Sequence, residues 1–99
     1  MFRLQKLEEA VADITRVIEL RNKLEVQEDD EHVFQSLQVQ LEIPSIALYY
    51  LYNLRGRLHM SLKYYEKSIQ DFNQAISQKE GYGIALNNRA LAYLESGIE

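Results

Sequence analysis

The chain has 99 residues, of which 46% are hydrophobic and 26% are charged, with a net charge of −4 and no cysteine. This composition allows one domain with a modest core, excludes disulfides and thiolate metal sites, and argues against general binding to a phosphate backbone. One proline and four glycines favour long helices over a turn-rich β architecture. The charged start has no apolar run typical of a secretory signal, and no apolar stretch reaches the ~20 residues that span a bilayer. We therefore expect a cytoplasmic, helical protein without a membrane partner.

The first predicted element is an amphipathic helix over residues 3–22. Its apolar side chains recur every three or four residues, which places them on one helical face. They are Leu4, Leu7, Val11, Ile14 and Ile18. Arg21 occupies the next position of this face and ends the pattern, which disfavours a free-standing coiled coil. We expect this helix to pack on another helix.

Residues 25–48 have a different character. Their acids are Glu25, Glu28, Asp29, Asp30, Glu31 and Glu42, and no Lys or Arg lies among them. The run "LQVQLEI" alternates as a strand does, but we favour a helix because a lone strand would have no partner. The residues from Asp29 to His32 are consecutive and diverge on a helix, so we expect a solvated acidic segment there and no metal site.

Three further helices are predicted in the second half of the chain. Pro44 suits the first turn of a helix that continues to about residue 62. A second helix runs from about residue 65 to 78, where "KEGYG" ends it. The last runs from about residue 84 to 95 and ends at Gly97.

The sequence also repeats itself at an offset of 34 residues. In this alignment Asn53, Arg55, Gly56 and His59 match Asn87, Arg89, Ala90 and Tyr93. At an offset of 58, "AVADITRVI" (residues 10–18) matches "SIQDFNQAI" (residues 68–76). The second offset exceeds one period by 24 residues, which is the length of the acidic segment. We therefore interpret most of residues 25–48 as an insertion or helix extension.

A helix–turn–helix unit of 34 residues resembles the tetratricopeptide repeat. The first-helix signature of that family is matched by Tyr52, Arg55, Gly56 and His59, then by Leu86, Arg89, Ala90 and Tyr93; the second-helix signature is matched by Ser68, Phe72 and Ala75. Arginine replaces the signature leucine in both copies, and Glu80 stands at the proline position. The resemblance implies an all-α fold of antiparallel helical hairpins that form a short right-handed α-solenoid.

In this interpretation residues 1–99 form a single domain. Residues 3–22 are the second helix of a partial repeat, and residues 25–48 are the insertion. Residues 49–82 are a complete repeat, and residues 83–99 contain the first helix of a truncated repeat.

The resemblance implies a non-catalytic protein–protein interaction module. In this family the first helices line a concave groove that binds peptides or partner helices. The positions carried over to this groove are Tyr50, Asn53, Arg57, Met60, Asn87, Asn88 and Leu91. The alternative is that these are merely solvated helix residues. The subfamily that clamps chaperone tails shares only the run from Asn88 to Ala90, so we do not expect that activity.

The register of the helices suggests a second kind of contact. The chain begins with a second-type helix and ends with a first-type helix, so each lacks the other half of a hairpin. The faces left bare include Leu4, Leu7, Val11 and Ile14 at one end, and Leu86, Tyr93 and Leu94 at the other. We expect a homo-oligomer, either head-to-tail or two-fold. The alternatives are a purely structural oligomerisation unit and a fragment of a longer repeat scaffold or co-chaperone.

Neither catalysis nor nucleic-acid binding is expected. His59 stands where the repeat places a core ring, and no cofactor motif is present. The basic residues Arg55, Arg57, Lys63 and Lys67 are few and lie on two helices, which favours a solvated or intramolecular role over nucleic-acid binding.

Overall fold

The computed structural model describes residues 2–26 and 47–97, which form four α-helices. They are α1 (Phe2–Val26), α2 (Leu48–Ser61), α3 (Tyr65–Gln78) and α4 (Gly83–Ser96). Each helix packs on the next, and α2 also touches α4. Among these residues there is no strand, so the predicted all-α fold is confirmed.

The helix boundaries agree closely with the sequence pattern. α3 matches its prediction at both ends, and α4 is one residue longer at each end. α1 continues to Val26, because no glycine or proline interrupts the chain after Arg21. The strand-or-helix alternative for "LQVQLEI" and Pro44 itself lie outside the described residues. The prediction that one helix continues from Pro44 to about residue 62 is wrong, because Ala47 is extended (φ −61°, ψ 142°) and α2 begins at Leu48. No helix of the described segments combines the length and apolar character that crossing a membrane requires.

The core follows α2 and α3 in two clusters. The larger cluster draws on all four helices and contains Ile18, Leu48, Leu51, Tyr52, Ala75 and Ala85. The smaller one contains Ile69, Phe72 and Ala92, with Met60 packed against it. Ser68, Phe72 and Ala75, which match the second-helix signature, are all 0% exposed, so this small–large–small set of side chains faces the interior.

Gly56 allows α2 and α3 to approach each other at the Phe72 ring. A Cβ atom built on Gly56 would lie 2.5 Å from Cε1 of Phe72, well inside van der Waals contact. The aromatic ring therefore occupies the space that a side chain at position 56 would need. This contact explains why a small residue on α2, Gly56, is combined with a large residue on α3, Phe72.

The turn between α2 and α3 is closed by backbone hydrogen bonds. The N–H of Lys63 donates to the carbonyl of Met60 (2.9 Å), and the N–H of Tyr64 donates to that of His59 (2.8 Å). This pair of bonds is the Schellman arrangement, in which one residue adopts a left-handed conformation. Here that residue is Lys63, with a φ of 66°.

Candidate partner-binding surface

A buried polar cluster joins α2 to α3 on the side that faces α1. Nε of Arg55 donates to both carboxylate oxygens of Asp71 (3.1 and 3.0 Å), and Nη2 donates to Oδ1 at 2.6 Å. Nη1 of the same guanidinium donates to Oγ1 of Thr15 on α1 (3.2 Å). Asp71 is only 3% exposed, so its charge needs these donors. Arg55 therefore has the intramolecular role that the sequence favoured.

His59 completes this cluster. Its Nδ1 lies 2.8 Å from Oδ2 of Asp71, and the residue is 8% exposed. Burial lowers the pKa of His59 below its ordinary 6.5, although the Asp71 carboxylate acts in the opposite direction; Arg55 and Lys67 lower the pKa further. At neutral pH the imidazole is therefore uncharged, and its Nδ1–H donates to the carboxylate. The geometry makes His59 a support for Asp71 within the core.

The predicted groove positions lie on neighbouring turns of α2 and α4. Arg57, Met60 and Asn88 line one open cleft of about 250 Å³, together with Ser61 and Glu95. The structure thus brings together a cation, an amide, a thioether, a hydroxyl and an anion. Within residues 2–26 and 47–97, Arg57 forms no hydrogen bond or ion pair, so its guanidinium is available to a partner.

Asn53 is buried and contacts Asn88, which lines the cleft. It is 4% exposed, and its Oδ1 accepts a hydrogen bond from Nδ2 of Asn88 (3.1 Å). The bond ties α2 to α4 and fixes the orientation of the more accessible Asn88 amide. Asn53 therefore acts on the cleft through Asn88.

The other predicted groove residues lie outside the cleft. Tyr50 and Leu91 are 46% and 41% exposed, and Asn87 is also exposed.

Ser61 and Glu95 were not predicted, although each lies one helical turn beyond a predicted residue, Arg57 and Leu91 respectively. Extending the same helical phase by one turn would have found both.

One family model, described as tetratricopeptide repeat, matches residues 49–82. The chain contains a tetratricopeptide repeat. The matched range coincides with the complete repeat predicted from the 34-residue offset. No curated protein and no solved structure matches the chain. Tetratricopeptide repeats are in general interaction modules that bind proteins or peptides, so the cleft lined by α2 and α4 is the leading candidate site.

The residues proposed for self-association flank this tetratricopeptide repeat on α1 and α4. Leu86, Tyr93 and Leu94 of α4 are 40%, 37% and 79% exposed. On α1, Leu4 is 51% exposed. Leu7, Val11 and Ile14 are half-buried, and Ile14 packs against the larger core cluster. Large apolar side chains are therefore accessible on both helices.

Proposed function

We propose that the chain is a non-catalytic protein–protein interaction module that binds a peptide or a partner helix along α2 and α4. The observation that carries the proposal is the cleft lined by Arg57, Met60, Ser61, Asn88 and Glu95. Its lining residues lie on α2 and α4, which the repeat alignment makes first helices, and the first helices of tetratricopeptide repeats generally bind the partner. The predicted cytoplasmic location and the division of the chain into repeats stay predictions.

The chemistry of the cleft suits a peptide. The Arg57 guanidinium offers a planar set of donors for a carboxylate, and the Asn88 amide offers a donor and an acceptor to a peptide backbone. Met60 adds a flexible apolar contact that adapts to different side chains. Glu95 places a negative charge on α4, opposite Arg57 on α2. We therefore propose that the preferred peptide carries an acidic group toward Arg57 and a basic group toward Glu95.

A selection from short random peptides displayed on phage tests this proposal. We expect enriched peptides to pair an acidic with a basic residue, and their affinity to fall about tenfold in an Arg57→Ala variant. Arg16→Ala, an exposed arginine on α1, is the matched control and should bind as the unmodified chain does. If the Arg57→Ala and Asn88→Ala variants both bind the selected peptides as tightly as the unmodified chain does, the proposed site is wrong.

We also propose that the chain associates with copies of itself, and a purely structural assembly unit is the second candidate function. The apolar side chains exposed on α4 favour this proposal. Full burial of an exposed apolar side chain contributes about 1.5–3 kcal/mol, and each of these residues retains the share of that gain that corresponds to its exposed fraction. The two candidates differ in their effect on the cleft. A peptide-binding module leaves Arg57 accessible in the assembled state, whereas a pure assembly unit covers it. Binding of the selected peptides to the assembled protein distinguishes them.

A further inference from the structure

The contact between α1 and α2 is repeated between α3 and α4. Nη1 of Arg55 donates to Oγ1 of Thr15 (3.2 Å), and Nη1 of Arg89 donates to Oδ1 of Asn73 (2.8 Å). The two arginines align at the 34-residue offset, and Thr15 and Asn73 align at the 58-residue offset. The same guanidinium nitrogen therefore binds a side-chain oxygen of the corresponding residue at both interfaces. α1 stands to α2 as α3 stands to α4, which makes α1 structurally a second-type helix.

Arg55 has a second partner that Arg89 lacks within the described residues. The Nε and Nη2 edge of Arg55 binds the carboxylate of Asp71 on α3. No hydrogen bond or ion pair joins Arg89 to a carboxylate in residues 2–26 and 47–97. At the 58-residue offset, Asp71 aligns with Asp13 of α1. Asp13 is exposed and has no polar partner in the same part of the chain. α4 and α1 thus each carry one partner of such an ion pair, Arg89 and Asp13, and the two residues are not paired with each other within one copy.

α4 exposes apolar side chains at the positions that correspond to a buried face of α2. On α2, Tyr52 and His59 are 9% and 8% exposed. At the corresponding positions of α4, Leu86 and Tyr93 are 40% and 37% exposed. α4 therefore leaves bare the face that α2 buries.

The residues where the helices cross agree in size as well. Gly56 leaves room for the Phe72 ring, and the corresponding pair is Ala90 on α4 and Ile14 on α1. Ala90 is larger than Gly56, and Ile14 is correspondingly smaller than Phe72. Close packing of the α2–α3 kind is therefore compatible with both pairs.

We propose that α4 of one copy packs against α1 of a second copy as α2 packs against α3, with Arg89 binding Asp13 of the second copy. The proposal rests on the proposed self-association and specifies its register. Tyr93 lies where His59 lies in the internal hairpin and brings a hydroxyl donor to the same carboxylate. The contact joins different faces of the two copies, so it is head-to-tail and produces a ring or a filament. A two-fold pairing of α4 with α4 would instead bring two Arg89 side chains together.

The solution mass of the chain and its charge-reversed variants tests this register. Light scattering over a roughly hundredfold range of concentration should show the unmodified chain growing beyond a monomer. Arg89→Glu and Asp13→Arg each place like charges at the junction, and each should raise the dissociation constant by at least about tenfold. In an equimolar mixture of the two variants every junction can join opposite charges. Mixing should therefore restore assembly.

Matched controls separate this register from a general effect of charge. Arg16→Glu and Glu9→Arg make the same charge changes at exposed positions of α1, where the aligned residues of α3, Gln74 and Lys67, are also exposed. Both should assemble as the unmodified chain does, and circular dichroism should show helical folding for all variants. A chain that stays monomeric overturns the self-association and this register together. A chain that assembles without response to either reversal, or variants that do not recover on mixing, overturns the register alone.

Discussion

Gly56 is the residue at which a single added methyl group should matter most directly. The Gly56→Ala side chain would meet the Phe72 ring at 2.5 Å, and overpacking of this kind costs up to about 3 kcal/mol. Alanine gains about 1 kcal/mol over glycine from helix propensity. We therefore expect the free energy of unfolding, measured with urea, to fall by about 2 kcal/mol. An unchanged midpoint would mean that α2 and α3 separate without cost.

A second substitution in the same contact tests whether the clash is the cause. Phe72→Ile makes room for the new methyl group. Together the two substitutions introduce the residue types of Ala90 and Ile14, which align with positions 56 and 72. In a double-mutant cycle we expect Gly56→Ala and Phe72→Ile to be less destabilising together than the sum of the two single effects, by about 1 kcal/mol or more. Additive effects would show that Phe72 does not limit the space at position 56.

His59 gives the stability of the fold a dependence on pH. Burial lowers the pKa of His59 in the folded state, so the unfolded chain binds a proton at a higher pH than the folded chain does. Stability from this residue is full above the unfolded pKa of about 6.5 and falls as the pH drops toward the folded pKa. In His59→Gln, whose amide can still donate to Asp71, this loss should disappear. Urea unfolding measured from pH 7.5 downward checks it; parallel pH profiles would contradict the assignment.

Individual residues of the core and of the cleft were not equally predictable from the sequence. Spacing alone places Ser68, Phe72 and Ala75 on one face, because a helix fixes which residues share a face. The core position of His59 was implied by the resemblance to the tetratricopeptide repeat. The bond between Asn53 and Asn88 and the pairing of Arg55 with Asp71 join different helices. Their geometry depends on how the helices cross and turn, which spacing along one helix does not determine.

The turn from α2 to α3 contains a left-handed residue that is not glycine. Lys63 has a φ of 66°, and Gly97, which aligns with it at the 34-residue offset, has a φ of 77°. A side chain in this conformation costs about 1–2 kcal/mol, whereas glycine loses about 0.5–1 kcal/mol through greater freedom in the unfolded chain. Lys63→Gly should therefore raise the free energy of unfolding by about 0.5–1 kcal/mol, measured by thermal or urea unfolding. Lys63→Ala removes the charge but keeps the Cβ atom, so it should bring no such gain.

At the level of elements, the predicted helix ends are accurate where residues that break a helix mark them. "KEGYG" ends α3 at Gln78, and Gly81 adopts a φ of 73° in the turn that follows. The end of α1 was predicted four residues early because the apolar stripe stops at Ile18 while nothing breaks the helix there. The turn at Lys63 lies between the two predicted helices, but it contains no glycine or asparagine that would have indicated its left-handed conformation.

The molecule as a whole is thin. Its principal dimensions are 45 × 35 × 16 Å, and a helix with its side chains is about 10 Å across, so most helices keep a side toward solvent. Helices contact mainly their neighbours along the chain. In such a one-dimensional arrangement stability comes from the interfaces between adjacent units, and each added interface contributes directly. A contact between copies would add one more interface of the same kind.

This arrangement predicts that thermal stability depends on protein concentration. If α4 of one copy packs on α1 of another, association stabilises the folded state by mass action, and the melting midpoint should rise by about 3–6 °C for each tenfold increase in concentration. Arg89→Glu weakens the contact between copies while leaving the Arg55–Asp71 pair intact, so its midpoint should vary less with concentration. At the lowest concentration, where both are monomers, the variant should melt lower only by the loss of the hydrogen bond from Arg89 to Asn73, which contributes about 0.5–1.5 kcal/mol. A midpoint that rises with concentration as steeply in the variant as in the unmodified chain would contradict the proposed contact, because the bond from Arg89 to Asn73 lies within one copy and does not depend on concentration.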